Sequence, residues 1–169
     1  MRTLPPKDKV TLVLLAFFMS VALTLEAYWL LFHNSMEGRT DIFARLLQIY
    51  WPADRTYRIP GYSVEKSFTL ALESVNVASQ ALNVWLVFAI LRRRYYRHPL
   101  QLALSACIGY GAFLYLYVAH LSGYAVFADR TFFSFSLFYL VNMPWLLGYG
   151  WMAGESIRAI ARRFRMTAG

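Results

Sequence analysis

The stretch TLALESVNVASQALNVWLV, residues 69–87, decides the fold of this chain. It is mostly apolar over the roughly 20 residues that a helix needs to cross the hydrocarbon core of a bilayer. It nevertheless contains one acid, Glu73, and three amides, Asn76, Gln80 and Asn83. These residues are spaced by three, four and three positions, so a helix places them on one narrow face. We therefore predict a membrane-spanning helix whose polar face points into protein.

Three further apolar runs of similar length accompany this stretch. With it, they predict spans at about residues 10–32, 67–91, 100–121 and 132–153. The chain of 169 residues is 59% hydrophobic and 15% charged, which is typical of a small integral membrane protein. We predict an all-α fold, a multi-pass four-helix bundle that forms a single domain over residues 1–169, with one further short helix at the membrane interface.

The lysines and arginines predict the orientation of this bundle. Eleven of the 17 fall before the first span, between the second and third spans, or after the fourth: Arg2, Lys7, Lys9, Arg92, Arg93, Arg94, Arg97, Arg158, Arg162, Arg163 and Arg165. Positive residues favour the cytoplasmic side, so we expect both termini there. The first run also has the basic start of a signal peptide, but its apolar residues continue to Phe32, which favours a retained span.

The net charge of +8 could indicate a nucleic-acid-binding protein in a soluble chain. In a membrane protein the same residues orient helices and contact anionic head groups. We therefore expect membrane lipids, and no nucleic acid, as partners.

The connection between the first two spans contains the short helix. The segment DIFARLLQIYWP, residues 41–52, begins with Asp41 as an N-cap and ends at Pro52, with apolar residues at helical spacing between them. We predict an amphipathic helix that lies on the membrane surface. A lid over a cavity that opens to the lipid is the alternative.

Two glutamates lie at membrane depth, Glu73 and Glu26, the latter in LTLEAYWLL, residues 23–31. A charged side chain near the bilayer centre costs about 2.5–3.5 kcal/mol on insertion scales, and it is retained where it faces protein, water or ligand. We therefore expect both acids to face a cavity. For Gln80 and Asn83 we favour interhelical hydrogen bonds, which membrane helices use routinely.

The fourth span adds an amide and an indole on one face, Asn142 and Trp145, with Pro144 between them. Proline cannot donate to the helical ladder, so a kink is expected. These two residues form either a cavity wall or a packed aromatic seam. A carboxylate and the face of a tryptophan both stabilise a positive charge, on an amine or on a carbocation. A protonated carboxyl beside an ionised one can act as acid and base.

Such a set is sufficient to move a carbon–carbon double bond in a lipophilic substrate without a metal or a cofactor, and we predict neither. We take Glu26 and Glu73 as candidate catalytic residues. The candidate substrate-binding residues are Asn76, Asn142, Trp145 and Trp29.

Two stretches carry a resemblance to a known family. Residues 97–117, RHPLQLALSACIGYGAFLYLY, and residues 132–150, FFSFSLFYLVNMPWLLGYG, resemble helices of the emopamil-binding protein or EXPERA family. That family includes sterol Δ8-Δ7 isomerases and proteins of the sigma-2 receptor type. The resemblance implies that Glu26 and Glu73 occupy the two acidic positions of the isomerases, which relay a proton. It also implies that Asn142 and Trp145 position the substrate and stabilise the cation.

The chain departs from the isomerase pattern at several positions. Ala22 stands where the isomerases have a histidine, one turn before the first acid, and Asn76 stands where they have a threonine. Ala112 and the region of Ala119 and His120 replace acidic residues of their third helix.

Two functions therefore remain open. The first is isomerisation of a sterol or other isoprenoid lipid, and the second is non-catalytic binding of a lipid or cationic amphiphile, as the sigma-2 type would imply. The pair Gly150 and Gly154 leaves a homodimer possible. We expect the endoplasmic reticulum in a eukaryote and the inner membrane in a bacterium.

Overall fold

The computed structural model describes residues 4–61 and 63–167. Within them lie five helices of six residues or more when the first span is counted as one: α1 (Pro6–Phe32), α2 (Ile42–Tyr50), α3 (Val64–Leu91), α4 (Arg97–Leu121) and α5 (Phe132–Thr167). Four of these, α1, α3, α4 and α5, are long and apolar enough to span a membrane. The predicted all-α fold with four spanning helices and one further helix is confirmed.

Helix α5 extends further than the apolar run that predicted it. The predicted span ends at about residue 153, whereas α5 continues to Thr167. The additional residues include several arginines, which favour helix and need not be apolar once they lie beyond the hydrocarbon core. Pro144 lies inside α5, and the helix continues on both sides of it.

The arginine-rich segments meet at one end of the bundle. The Nζ atom of Lys7 lies 2.6 Å from Glu155, and Nη1 of Arg97 lies 2.7 Å from Asp8. Glu155 also accepts a hydrogen bond from Arg158 at 2.7 Å, as its helical spacing indicates. These contacts join the start of α1, the start of α4 and the end of α5. Arg2, which belongs to the same predicted cluster, lies outside the described residues.

Helix α2 packs on the opposite end of the bundle. Its N-cap is Asp41, whose carboxylate accepts from the Ala44 amide at 3.2 Å, so this prediction is confirmed. One face of α2, Ala44, Leu47 and Tyr50, is buried against the spanning helices. The other face, which includes Leu46 and Ile49, is exposed and apolar and therefore suits the membrane surface.

Two apolar cores stabilise the bundle at different depths. One core surrounds Trp29, Tyr57 and Phe138 near α2. The other surrounds Phe18 and Leu86, towards the arginine-rich end.

Candidate functional site

Glu26 lies in a local irregularity of α1. Residues Ala22–Glu26 form a π-helical turn, in which the Ala27 amide bonds to the Ala22 carbonyl. Such a turn inserts an extra residue into the helix and is frequent at functional sites. The apolar pattern of the sequence gave no indication of this turn.

The carboxyl groups of Glu26 and Glu73 contact each other across α1 and α3. A hydrogen bond between two carboxyl groups requires that one of them carries a proton, because an ionised carboxylate only accepts. Both side chains are only partly buried, although each is surrounded by protein. Their remaining accessible surface faces a cavity. The two predicted acids are therefore brought together as a pair.

The cavity that the acids face contains about 590 Å³ of empty space, including its open part. Its described lining residues are Glu26, Thr69, Leu72, Glu73, Val75, Asn76, Cys107, Ile108, Gly111, Ala112, Tyr115, Asn142 and Trp145. Val75 on α3 and Cys107 on α4 are exposed on the outer surface, so the cavity opens sideways between these helices.

Asn76 binds Glu26 directly. Its Nδ2 donates to Oε2 of Glu26 at 2.6 Å. The next amides along α3 form a buried polar seam, in which Asn83 Nδ2 donates to Gln80 Oε1 at 2.8 Å and to the Tyr149 hydroxyl on α5 at 3.1 Å. Gln80 and Asn83 thus bind protein groups, as expected, whereas Asn76 lines the cavity.

Tyr57 supports Glu73 from the connection between α2 and α3. Its hydroxyl donates to Oε1 of Glu73. Burial, reinforced by the negative charge of Glu73, raises the pKa of the Tyr57 phenol well above its usual value, so the phenol remains a donor. The ring packs against Trp29 with 4.5 Å between centroids, and the Trp29 indole donates to the Tyr57 carbonyl at 3.3 Å. Trp29 is fully buried behind Tyr57 and does not line the cavity.

A second polar network reaches the cavity through Asn142. Its Nδ2 donates to the Tyr50 hydroxyl at 2.8 Å, and this hydroxyl lies 3.3 Å from that of Tyr115. The Tyr115 hydroxyl donates in turn to Asp54, which is fully buried. The Asp54 carboxylate also accepts hydrogen bonds from the backbone amide and from Oγ1 of Thr56. Burial raises the pKa of the Asp54 carboxyl, although these donors oppose the shift.

The sequence did not single out Asp54, Tyr57 or Tyr115. Asp54 lies in a connection with many charges, where an acid is ordinarily solvated. Its spacing from Thr56 is that of an Asp that binds the backbone two residues on, and this was the available signal.

Trp145 is held by a stack of aromatic rings. Phe18 packs against both Trp145 and Tyr149, with 4.6 and 4.7 Å between ring centroids. Gly148 makes room for it, because a Cβ there would lie 2.5 Å from Cζ of Phe18. Trp145 therefore belongs both to a packed aromatic seam and to the cavity wall.

Ala22 is fully buried in the apolar core that contains Phe18 and Trp145. The described residues that line the cavity include no histidine, lysine or arginine. The donor to the first acid is instead Asn76.

A comparison with family models shows the family of the chain. The model described as EBP: EXPERA (EXPanded EBP superfamily) matches residues 42–156, which is more than half of the chain. The chain belongs to the EXPERA superfamily. The matched region contains Glu73, Asn76, Asn142 and Trp145, and it begins after Glu26. The place of Glu26 in the site of this EXPERA protein therefore rests on its contacts with Glu73 and Asn76.

Proposed function

We propose that this EXPERA protein is a membrane-embedded isomerase that shifts a carbon–carbon double bond in a sterol or other isoprenoid lipid. The observation that supports this most directly is the contact between the Glu26 and Glu73 carboxyl groups in a cavity that opens sideways. A lipid reaches such a cavity from the hydrocarbon phase without passing through water.

The reaction needs one proton in and one proton out. The protonated carboxyl of the pair gives its proton to one alkene carbon, and the π electrons of the double bond form the new C–H bond. The resulting carbocation is stabilised by the ionised carboxyl and by the indole face of Trp145. A carboxylate then removes a proton from a carbon on the other side of the cation, and those electrons form the shifted double bond. The pair ends with the one proton with which it began.

The neighbouring groups hold the acids in place for this exchange. Asn76 and Tyr57 each donate to one carboxyl, so neither acid can rotate away without losing a hydrogen bond. Asn142 lies in the same wall as Trp145 and can bind a polar group of the lipid.

The test is turnover in deuterated water. The purified protein is incubated with a panel of sterol and isoprenoid olefins, and isomerised products are examined for deuterium by mass spectrometry. We expect label in a shifted product, and loss of at least about a hundredfold in rate for Glu26→Gln and Glu73→Gln. Glu37→Gln, in an exposed ion pair with Arg58, is the control and should remain active. The absence of label with every olefin would contradict the proposal.

A second candidate is binding without turnover, of a lipid or cationic amphiphile. The observation that favours it is Ala22, which is packed among apolar side chains where the isomerases carry a histidine. Under this function no deuterated product forms, and a tertiary amine binds tightly. Only one of the two substitutions Glu26→Gln and Glu73→Gln should then weaken the binding of the amine. The labelling experiment and an amine-binding measurement on the same variants distinguish the two.

A further inference from the structure

A cleft at the arginine-rich end of the bundle lies between the start of α4 and the last turns of α5. It contains about 670 Å³ of space, including its open part. Its described lining residues are Tyr95, His98, Pro99, Ile160, Arg163 and Phe164. None of these described residues lines the cavity of the carboxyl pair, so the two spaces have separate walls.

The end of the molecule that contains this cleft is strongly positive. The segments that meet there contain eleven lysines and arginines but only two acids, Asp8 and Glu155. Both acids are engaged in ion pairs, with Arg97 at 2.7 Å and with Lys7 at 2.6 Å. None of the described residues that line the cleft is acidic. A ligand in the cleft therefore meets positive charge and no carboxylate in the wall.

Arg163 supplies the positive charge in the wall itself. Its Nη1 donates to the Tyr95 carbonyl at 3.3 Å, which holds the guanidinium across the mouth between α5 and the α3–α4 connection. A guanidinium carries five N–H groups in a planar fork, a geometry that matches the oxygens of a phosphate group.

His98 supplies a second donor. Nε of Arg97 donates to Nε2 of the His98 ring at 3.2 Å, so the proton of the neutral ring lies on Nδ1. This Nδ1 is buried and has no hydrogen-bond partner among the residues that the structure describes. A buried donor without an acceptor is costly in a folded protein, and a phosphate oxygen would supply the acceptor.

The rest of the wall is apolar and favours a lipid over a soluble phosphate. Pro99 and Ile160 present apolar surface beside the two donors. Tyr95 and Phe164 are 79% and 70% exposed, although both are large and aromatic. Exposed aromatic residues among arginines are typical of a segment that lies at a membrane surface. A free phosphate would leave this apolar surface in contact with water, whereas an acyl chain covers it.

We propose that this cleft binds a phospholipid of the adjacent leaflet whose head group is anionic and carries no amine. The phosphate binds Arg163 and His98, and an acyl chain packs on Pro99, Ile160 and Phe164. An amine-bearing head group suits the cleft less well, because its ammonium would lie near Arg163 with no carboxylate in the wall to bind it. The site is separate from the carboxyl pair and does not depend on the proposed function.

The test compares two lipids with the same chains, dioleoyl phosphatidylglycerol and dioleoyl phosphatidylcholine. Binding of each to the full-length protein in detergent is measured by native mass spectrometry at roughly 0.15 M salt, where long-range attraction is screened. We expect phosphatidylglycerol to bind about tenfold more tightly, as charge-assisted hydrogen bonds to its phosphate are formed without a repelled ammonium.

Three variants locate the bound phosphate. Arg163→Gln removes the fork, and His98→Phe keeps an aromatic ring but removes the donor. We expect each to weaken the binding of phosphatidylglycerol about tenfold. Arg162→Gln removes the same charge from the adjacent position, which does not line the cleft, and should change binding by less than about twofold. The melting temperature of each variant establishes that it is folded, and if His98→Phe does not fold, the two arginine variants decide.

The other outcomes overturn the proposal. Equal binding of the two lipids would mean that the cleft does not select an anionic head group. Equal losses in Arg163→Gln and Arg162→Gln would show attraction to the whole basic end rather than a site. Unchanged binding in a folded His98→Phe would place the phosphate outside the cleft. Glycerol 3-phosphate has the phosphate without the chains and should not displace the lipid; displacement at equal concentration would identify a site for soluble phosphate esters instead.

Discussion

Gly148 is the residue on which the aromatic wall of the cavity depends, because it leaves room for Phe18 beside Trp145. In Gly148→Ala the new methyl group would lie 2.5 Å from Cζ of Phe18, and an aromatic ring cannot bend away. We expect a loss of about 1–3 kcal/mol in stability, typical of overpacking, together with weaker amine binding as Trp145 moves. Thermal unfolding in detergent and the binding measurement check this.

Gly150→Ala is the matched control for that substitution. Gly150 lies on the same helix, and a Cβ there has no atom within 4 Å. Alanine favours helix over glycine by roughly 0.5–1 kcal/mol, so this variant should be unchanged or slightly more stable. Equal effects of the two substitutions would show that the Phe18 contact is not what matters.

Residues of the site differ in how far the sequence could predict them. Glu73 and Asn76 were predicted because helical spacing places them with two further amides on one face, whereas Asn142 and Trp145 share a face by spacing and received their role from the resemblance to the isomerases. Glu26 was identified by the cost of burying a charge, although the π turn that presents it was not. Tyr57 and Asp54 could not be found in this way, because a connection has no periodicity and its path is set by tertiary contacts.

At the scale of elements, the connection between α2 and α3 is held to the bundle by one buried acid. Asp54→Ala leaves the hydroxyl of Tyr115 and both donors of Thr56 without their acceptor, which should cost about 1–3 kcal/mol. Asp54→Asn keeps one acceptor oxygen for Thr56 and should retain most of the stability. The midpoint of denaturation of the two variants tests this, and equal losses would contradict the geometry.

The same acid predicts a pH dependence with a definite sign. Burial raises the pKa of Asp54 from its ordinary value of 3.8, so the folded protein holds this proton more tightly than the unfolded chain does. Its contribution to stability is fully present below pH 3.8 and is lost as pH rises through the raised pKa. The melting temperature of the wild type should therefore fall relative to that of Asp54→Asn as pH increases from about 4. Parallel curves for the two proteins would refute this.

The number of helices was predicted correctly from the sequence, whereas the length of α5 was not. The apolar runs marked the parts of α3, α4 and α5 that can lie in hydrocarbon, since only those parts must be apolar. They could not mark where α5 ends, because its last turns carry arginines and follow helix propensity instead. The apolar spacing and the N-cap of α2 predicted its position in the sequence. Its packing against the bundle could not be predicted, because it depends on tertiary contacts.

For the whole molecule, the separation of charge between the two ends predicts how the bundle inserts. Lys7, Arg97 and the arginines of α5 meet at one end through the contacts with Asp8 and Glu155. At the other end the arginines of the long connection are compensated by nearby acids, as in the pair of Arg58 with Glu37 at 2.9 Å. Because the cytoplasmic ends of spans carry an excess of lysine and arginine, and eleven of the 17 lie at the arginine-rich end, we expect this end, and with it both termini, on the cytoplasmic side.

This orientation is tested with single cysteines in a Cys107→Ser background, which removes the only native thiol. Gly38→Cys lies at the α2 end, where an added Cβ has open space, and Ala161→Cys lies on an exposed turn of α5 at the arginine-rich end. In intact bacterial cells expressing the protein, a membrane-impermeant maleimide should label Gly38→Cys and should label Ala161→Cys only after permeabilisation. The reverse pattern would mean that the bundle is inverted. Four membrane spans require that the two ends of the bundle lie on opposite sides of the membrane. Labelling of both cysteines in intact cells would contradict this.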